Sequence, residues 1–288
     1  MIEQNARLGV WLMVATTFVF AVQDGLSRYL AGEYNVYMVI MVRFWFFAAF
    51  VIALSARRKG GLMRAARTRQ PILQTFRAAL LITQICVMVT AFTLLGLVES
   101  HAIFASYPLL IAALSGPVLG ERVGWRRWTA IGIGFVGVLI ILEPGFAVFD
   151  PLAVIPIISA LLFALYGLLT RFAARKDTAA TSFFWTGVVG MIGMTAVGMW
   201  FWQPMEGGDR WLMALLCVTG VLGHFTLIKC YEVAEASAVQ PFAYLQLVFI
   251  TVIGIFVFGE TIRTNVAVGV AIVVGAGLFT LWRQRKAA

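Results

Sequence analysis

The stretch Ile103-Phe-Ala-Ser-Tyr-Pro-Leu-Leu-Ile-Ala-Ala-Leu-Ser-Gly-Pro-Val-Leu-Gly-Glu-Arg122 is an apolar run about one membrane thickness long that stops abruptly on Gly120-Glu121. A second run, Phe242-Ala-Tyr-Leu-Gln-Leu-Val-Phe-Ile-Thr-Val-Ile-Gly-Ile-Phe-Val-Phe-Gly-Glu-Thr261, stops the same way on Gly259-Glu260. The two Gly-Glu pairs are separated by close to half of the 288 residues. That spacing predicts a chain made of two related halves.

Composition sets the class. The chain is 61% hydrophobic and 12% charged, against roughly 25% charged in soluble domains. No soluble core uses that much apolar surface, so a polytopic membrane protein is expected. The net charge of +9 raises nucleic acid as a partner, but the placement of the charges argues against it. Cys86, Cys217 and Cys230 all fall inside apolar runs, as small buried hydrophobes and not as a disulfide or zinc framework. The first run, Leu8 to Leu30, is too long for the apolar centre of a signal peptide and reads as a retained helix.

A spanning helix needs about 20 mostly apolar residues. Ten runs qualify: 8–30, 36–54, 75–95, 101–119, 126–142, 151–170, 181–201, 211–231, 237–258 and 264–282. Basic residues collect on one side of this arrangement. Arg57, Arg58, Lys59, Arg64, Arg67 and Arg69 follow the second run, joined by Arg7, Arg122, Arg126, Arg127, Arg171, Arg175, Lys176, Arg283, Arg285 and Lys286. The other side has Arg210 and Arg263, with Arg28 at the rim, among the acids Glu33, Glu99, Glu143, Asp150, Glu206, Asp209 and Glu260. The positive-inside rule then places both termini in the cytoplasm. The charge is topogenic: the 55–74 segment reads as a solvated cytoplasmic loop, with contact to anionic lipid as the alternative.

Five helices per half force the second half to enter from the opposite side. Phe20-Ala21 and Ser27-Arg28-Tyr29 of the first run are echoed at one constant offset by Phe163-Ala164 and Thr170-Arg171-Phe172 of the sixth. Gly132, Gly134 and Gly137 of the fifth are echoed by Gly269, Gly275 and Gly277 of the tenth, with different spacing. The expected fold is therefore all-α and integral to the membrane: ten transmembrane helices as two inverted five-helix repeats, 1–143 and 144–288. Such repeats are typical of secondary transporters with a mid-membrane site at the repeat interface.

With Tyr107-Pro108, Gly120-Glu121 and Gly259-Glu260 in place, the whole chain resembles the EamA-type drug/metabolite transporter superfamily. It departs from the pattern at Leu247, where the second half lacks the expected proline. The resemblance implies export of small metabolites across a bacterial inner membrane. The amino-acid exporter branch is the likeness favoured, with hydrophobic drugs or other metabolites as the alternative. It implies no cofactor, no metal and no catalytic residue. The partners it implies are a small-molecule substrate and membrane lipids, in a monomer or homodimer.

The Gly-Glu pairs read as structural caps. Gly120 and Gly259 end their helices, while Glu121 and Glu260 accept hydrogen bonds from the helix that follows each. Charge inside the spans is more informative. Asp24 and Arg43 are expected to lie at similar depth and to face each other. They form either a structural ion pair or a site for the charged ends of a zwitterion, or for gating. Lys229 and Arg77, near helix ends, are expected to snorkel. His224 corresponds in the repeat to Gln84, and is either hydrogen-bonded packing or a proton carrier. Gln23, Tyr107, Tyr166, Tyr244 and Gln246 lie within spans, where an unpaired polar group is costly, so each must face a helix or water. Trp185 is a wall residue or an interfacial anchor. Pro108 and Pro241 are expected bending points, and the glycines of runs five and ten close-packing sites.

Other classes find little support. The chain has no His-Glu-x-x-His, no Gly-x-Ser-x-Gly and no Walker loop, and only two histidines, His101 and His224. No charged ring motif suggests a channel. Alternating access about a central cavity is the expected mechanism. If protons drive it, Asp24 and His224 are the central titratable residues on this reading.

Overall fold

The structure is a computed structural model that describes residues 5–57, 60–120, 124–142, 151–234, 239 and 242–287. Arg58, Lys59, Glu121, Arg122, Glu143, Asp150 and Pro241 lie outside the described residues. The helices are α1 (Ala6–Glu33), α2 (Val36–Ala56), α3 (Gly61–Ala66), α4 (Pro71–Leu95), α5 (Leu97–Phe104), α6 (Tyr107–Leu119), α7 (Trp125–Leu142), α8 (Val154–Ala173), α9 (Ala179–Gly198), α10 (Asp209–Val233), α11 (Leu245–Phe258) and α12 (Thr264–Ala287). All regular structure among the described residues is helical. Seven helical stretches are long and apolar enough to cross a membrane, and three shorter apolar ones accompany them. This is an all-helical membrane protein.

Helix packing repeats when the halves are exchanged. α1 lies on α10 as α8 lies on α4, α1 on α11 as α8 on α6, and α2 on α10 as α9 on α4. α2 packs on α9, and α7 on α12, across the exchange. At the α7–α12 crossing, a Cβ on Gly137 would lie 2.8 Å from the Gly269 carbonyl oxygen, so close approach needs glycine there. Gly132 and Gly275 differ from expectation, since a Cβ on either meets nothing within 4 Å.

The fourth span is not one helix. α5 ends at Phe104, Ala105 and Ser106 form a turn, and α6 restarts with Pro108 in its first turn. Pro108 has no N–H to continue the ladder from α5, so the expected bend becomes a break. In the second half a turn at Tyr244 precedes α11, and it forms although Leu247 replaces the proline.

Gly120 and Gly259 take left-handed φ of 73° and 65° at the ends of α6 and α11. Glu260 caps a different helix from the one expected. Its carboxylate accepts from the backbone N–H groups of Leu97 and Val98, each at 2.8 Å, and pairs with Arg28. It therefore ties the first turn of α5 to α1, not to the following α12. Gly96 makes room for this, with φ of 87° and a hypothetical Cβ 2.8 Å from the Glu260 Oε1.

Arg77 also departs from expectation. It is fully buried and turned inward, not snorkelling. Its guanidinium donates to Gln74 Oε1 at 2.9 Å, Tyr166 OH at 3.3 Å, Thr170 Oγ1 at 3.2 Å, the Ser182 carbonyl at 2.6 Å and Thr186 Oγ1 at 2.8 Å. These bonds fasten α4 to α8 and α9. Gln74 carries the network on to Asp177 in the α8–α9 turn. Burial pushes that carboxyl up, but donors from Gln74, Thr68, Arg69 and Gln70 outweigh it and hold Asp177 below the usual carboxylate range. Lys229 pairs with Glu232 at 2.6 Å.

Two substitutions test these fasteners by thermal unfolding of the purified protein in detergent. Arg77→Ala empties a packed site and strands Gln74 Oε1, and should cost about 2–5 kcal/mol. Gly96→Ala forces a side chain into left-handed backbone against Glu260 and should cost about 1–3 kcal/mol. Wild-type unfolding midpoints in both would remove these two contacts from the account of the fold.

Candidate functional site

A cavity lies where the two halves meet. α1 supplies Phe20, Gln23 and Asp24 from one face, as spacings of three and four residues dictate. α2 adds Arg43, α4 Gln84 and Phe92, α5 His101 and Phe104, α8 Phe163, α10 His224 and α11 Gln246. The walls are largely aromatic and the polar groups few, as in small-molecule sites generally. The free volume is only ≈ 40 Å³, room for a few waters and far below the ~300 Å³ a metabolite needs.

Asp24 and Arg43 share this cavity without forming the expected ion pair. Asp24 Oδ2 accepts from Gln246 Nε2 at 2.9 Å and lies 3.1 Å from His101 Nε2, while Gln23 Nε2 reaches Oδ1 at 3.5 Å. α1 packs on α10 and α11 far more than on α2, which turns Asp24 toward α5 and α11. Arg43 instead meets His224 Nε2 at 3.4 Å. An arginine only donates, so His224 Nε2 accepts and its proton sits on Nδ1.

Three atoms here are buried without a partner among the described residues: Arg43 Nε, His224 Nδ1 and Gln23 Oε1. Two are donors and one is an acceptor. Arg43 and His224 are each 2% exposed, so water does not satisfy them from bulk. The contrast with Arg77 is informative. One buried arginine is saturated by its own helices, and the other has a single weak contact in a cavity.

Gln84 lines the cavity and donates to Ser159 Oγ at 2.9 Å. Tyr107 and Tyr244 stand one layer behind, bordering a smaller pocket with His101, Phe104 and Gln246. Tyr166 belongs to the Arg77 network and does not line the cavity. Trp185 is no cavity wall, since it donates to the Ala66 carbonyl at 3.0 Å and docks α3. Glu260 and Gly259 do not line the cavity: Glu260 caps α5 and borders a separate vestibule, and Gly259 ends α11.

His101 was hidden in the sequence as the first residue of an expected span. α5 begins four residues earlier, which carries His101 inward to 3% exposure. The signal that points to it is Asp24 itself, a lone intramembrane acid in need of a donor. Phe92 was equally unmarked. It lines the cavity and also a separate vestibule of ≈ 530 Å³ bounded by Arg28, Glu99, Glu260 and Arg263.

Comparison with known proteins accords with this arrangement. The EamA-like transporter family matches residues 7–143 and 152–282. An S-adenosylmethionine uptake transporter of Rickettsia prowazekii is 24% identical over 96% of this chain and 94% of its own. A riboflavin transporter of Vibrio cholerae is 26% identical over 99% of this chain and 97% of its own. These relatives are named for uptake or transport of larger metabolites, not for amino-acid export. A solved crystal structure shares the fold at TM-score 0.72 and 16% identity, over 98% of this chain and 99% of that one. With matches in both halves and a polar cavity between them, the chain belongs to the EamA-like transporter family, and it is a membrane transporter of small metabolites and not an enzyme.

Proposed function

We propose that the chain is a secondary transporter that carries a zwitterionic metabolite with an amino-acid head group, S-adenosylmethionine or an amino acid, through the central cavity by alternating access. The unpartnered set Arg43 Nε, His224 Nδ1 and Gln23 Oε1 carries this reading. Two idle donors suit a carboxylate. An idle acceptor beside the Asp24 carboxylate suits an ammonium or sulfonium. Gln84 and Gln246 complete the polar wall, and Phe20, Phe92, Phe104 and Phe163 offer faces to a side chain or an adenine ring.

The expected frame of ten spans in two inverted halves, 1–143 and 144–288, supplies the motion. The exchange symmetry of helix packing supports two halves rocking about the cavity in a bacterial inner membrane with both termini cytoplasmic. Export of amino acids, drawn from family likeness, and uptake, drawn from the relatives' names, are the same carrier run in opposite directions.

The second reading is riboflavin, favoured by the aromatic walls alone. Riboflavin has no carboxylate for Arg43. In proteoliposomes of the purified protein, radiolabelled S-adenosylmethionine should enter saturably and be competed by amino acids better than by riboflavin. Arg43→Met should keep the wild-type unfolding midpoint, because it deletes a poorly paired buried charge. It should weaken apparent substrate affinity about 10- to 100-fold, the worth of a charged hydrogen bond. Saturable riboflavin flux, indifferent to Arg43→Met, would overturn the head-group assignment.

A further inference from the structure

Tautomer geometry at His101 has a consequence beyond substrate binding. His101 Nδ1 lies 3.0 Å from the Leu97 carbonyl oxygen. A carbonyl only accepts, so Nδ1 carries a proton. A neutral imidazole protonated there presents a bare lone pair at Nε2. That lone pair would face Asp24 Oδ2 at 3.1 Å, where an ionised carboxylate presents a lone pair too. Two lone pairs do not hold that separation in a buried site. One further proton must lie between them, on the imidazole or on the carboxyl.

We propose that Asp24 and His101 form the coupling-proton site of this transporter, holding one proton while the cavity is closed and giving it up in exchange for the cationic group of the substrate. This rests on the transport reading above and names what drives it. Asp24 Oδ2 is already engaged by Gln246 and His101. A substrate ammonium or sulfonium reaching the carboxylate replaces the proton held there. The proton leaves as the substrate cation arrives, so the charge beside Asp24 is conserved and the two move in opposite directions across the membrane.

The surroundings are suited to this. Among the described residues the groups facing the pair are Gln23 on α1, Arg43 on α2, Gln84 on α4, Gln246 on α11, Tyr107 on α6, Tyr244 before α11 and His224 on α10. Arg43 is the only cation in that set and does not touch Asp24. His224 accepts from Arg43 and is therefore neutral, which leaves His101 as the histidine that takes the proton. This revises the expectation that Asp24 would work with His224.

Phe92 stands between His101 and the vestibule. Its ring stacks on His101 at 4.9 Å between centroids and 13° between planes. It lines both the central cavity and the vestibule wall beside Arg28 and Glu260.

The chain's two histidines make the proton directly observable. In ¹⁵N-histidine-labelled protein in detergent, His101 is assigned by the signals lost in His101→Gln. At neutral pH its Nε2 should show a proton shared with Asp24, and that signal should be lost in Asp24→Asn. An Nε2 signal identical in wild type and Asp24→Asn overturns the shared proton. In proteoliposomes, an acid interior should accelerate S-adenosylmethionine uptake several-fold in the wild type. His101→Gln should bring the ratio of uptake rates with and without the gradient to one, whatever its absolute rate. Exchange with no response to the gradient in the wild type, or an unchanged response in His101→Gln, overturns the coupling. Absence of any exchange in the wild type sinks the transport reading instead, and the nitrogen signals, which need no substrate, still decide the shared proton.

Discussion

Backbone groups inside a bilayer must find partners within the protein, yet this chain interrupts a helix in its fourth span. The structure depends on how those loose ends are held. Pro108 ends the continuity of the ladder, and α5 becomes a separate eight-residue helix. Its first N–H groups are not left to lipid. They are held by Glu260, a residue from the other half of the chain, with Arg28 of α1 on the same carboxylate. A glutamate that looks like a local punctuation mark is thus a long-range tether. It positions α5, and α5 positions His101 against Asp24.

Two fully buried arginines show how differently one residue type is satisfied in the same protein. Burying a guanidinium costs several kcal/mol unless its donors are met. Arg77 meets them with Gln74, Tyr166, Thr170, Ser182 and Thr186, and its charge serves to fasten three helices. Arg43 keeps an idle Nε and one 3.4 Å contact. On the proposed function, a substrate carboxylate supplies the anion that Arg43 lacks. Burial alone does not separate the two cases, but the partner inventory does.

Much of this was legible in the sequence. Apolar runs gave the helices, the repeated Gly-Glu pairs pointed to two related halves, scarcity of intramembrane charge singled out Asp24 and Arg43, and the repeat singled out Gln84. What failed were pairings. Asp24 was matched to Arg43 by depth, although depth along a helix says nothing of rotation about it, and α1 faces α5 and α11. Glu260 was matched to the next helix because sequence neighbours are the default partners of a cap, whereas its partners are about 160 residues away. Tyr166 and Arg77 were judged separately, and only packing of α4 on α8 makes them one network. Periodicity fixes which residues share a helix face. It does not fix which helix that face meets.

The repeat also shows where the two halves have diverged, and the divergence bears on gating. Asp24 of α1 falls, at the offset that aligns Phe20 with Phe163, opposite Gly167 of α8. There a Cβ would meet Ile111 at 3.2 Å and the Tyr231 hydroxyl at 3.2 Å, so the position is filled by packing and not by charge. At Asp24 a carboxylate meets an imidazole beside the Phe92 ring, whereas at Gly167 the neighbours are Ile111 and the Tyr231 ring with its hydroxyl. Packed apolar surfaces part at a cost set by area and are indifferent to ions. A carboxylate–imidazole contact parts at a cost set by protons and by competing cations.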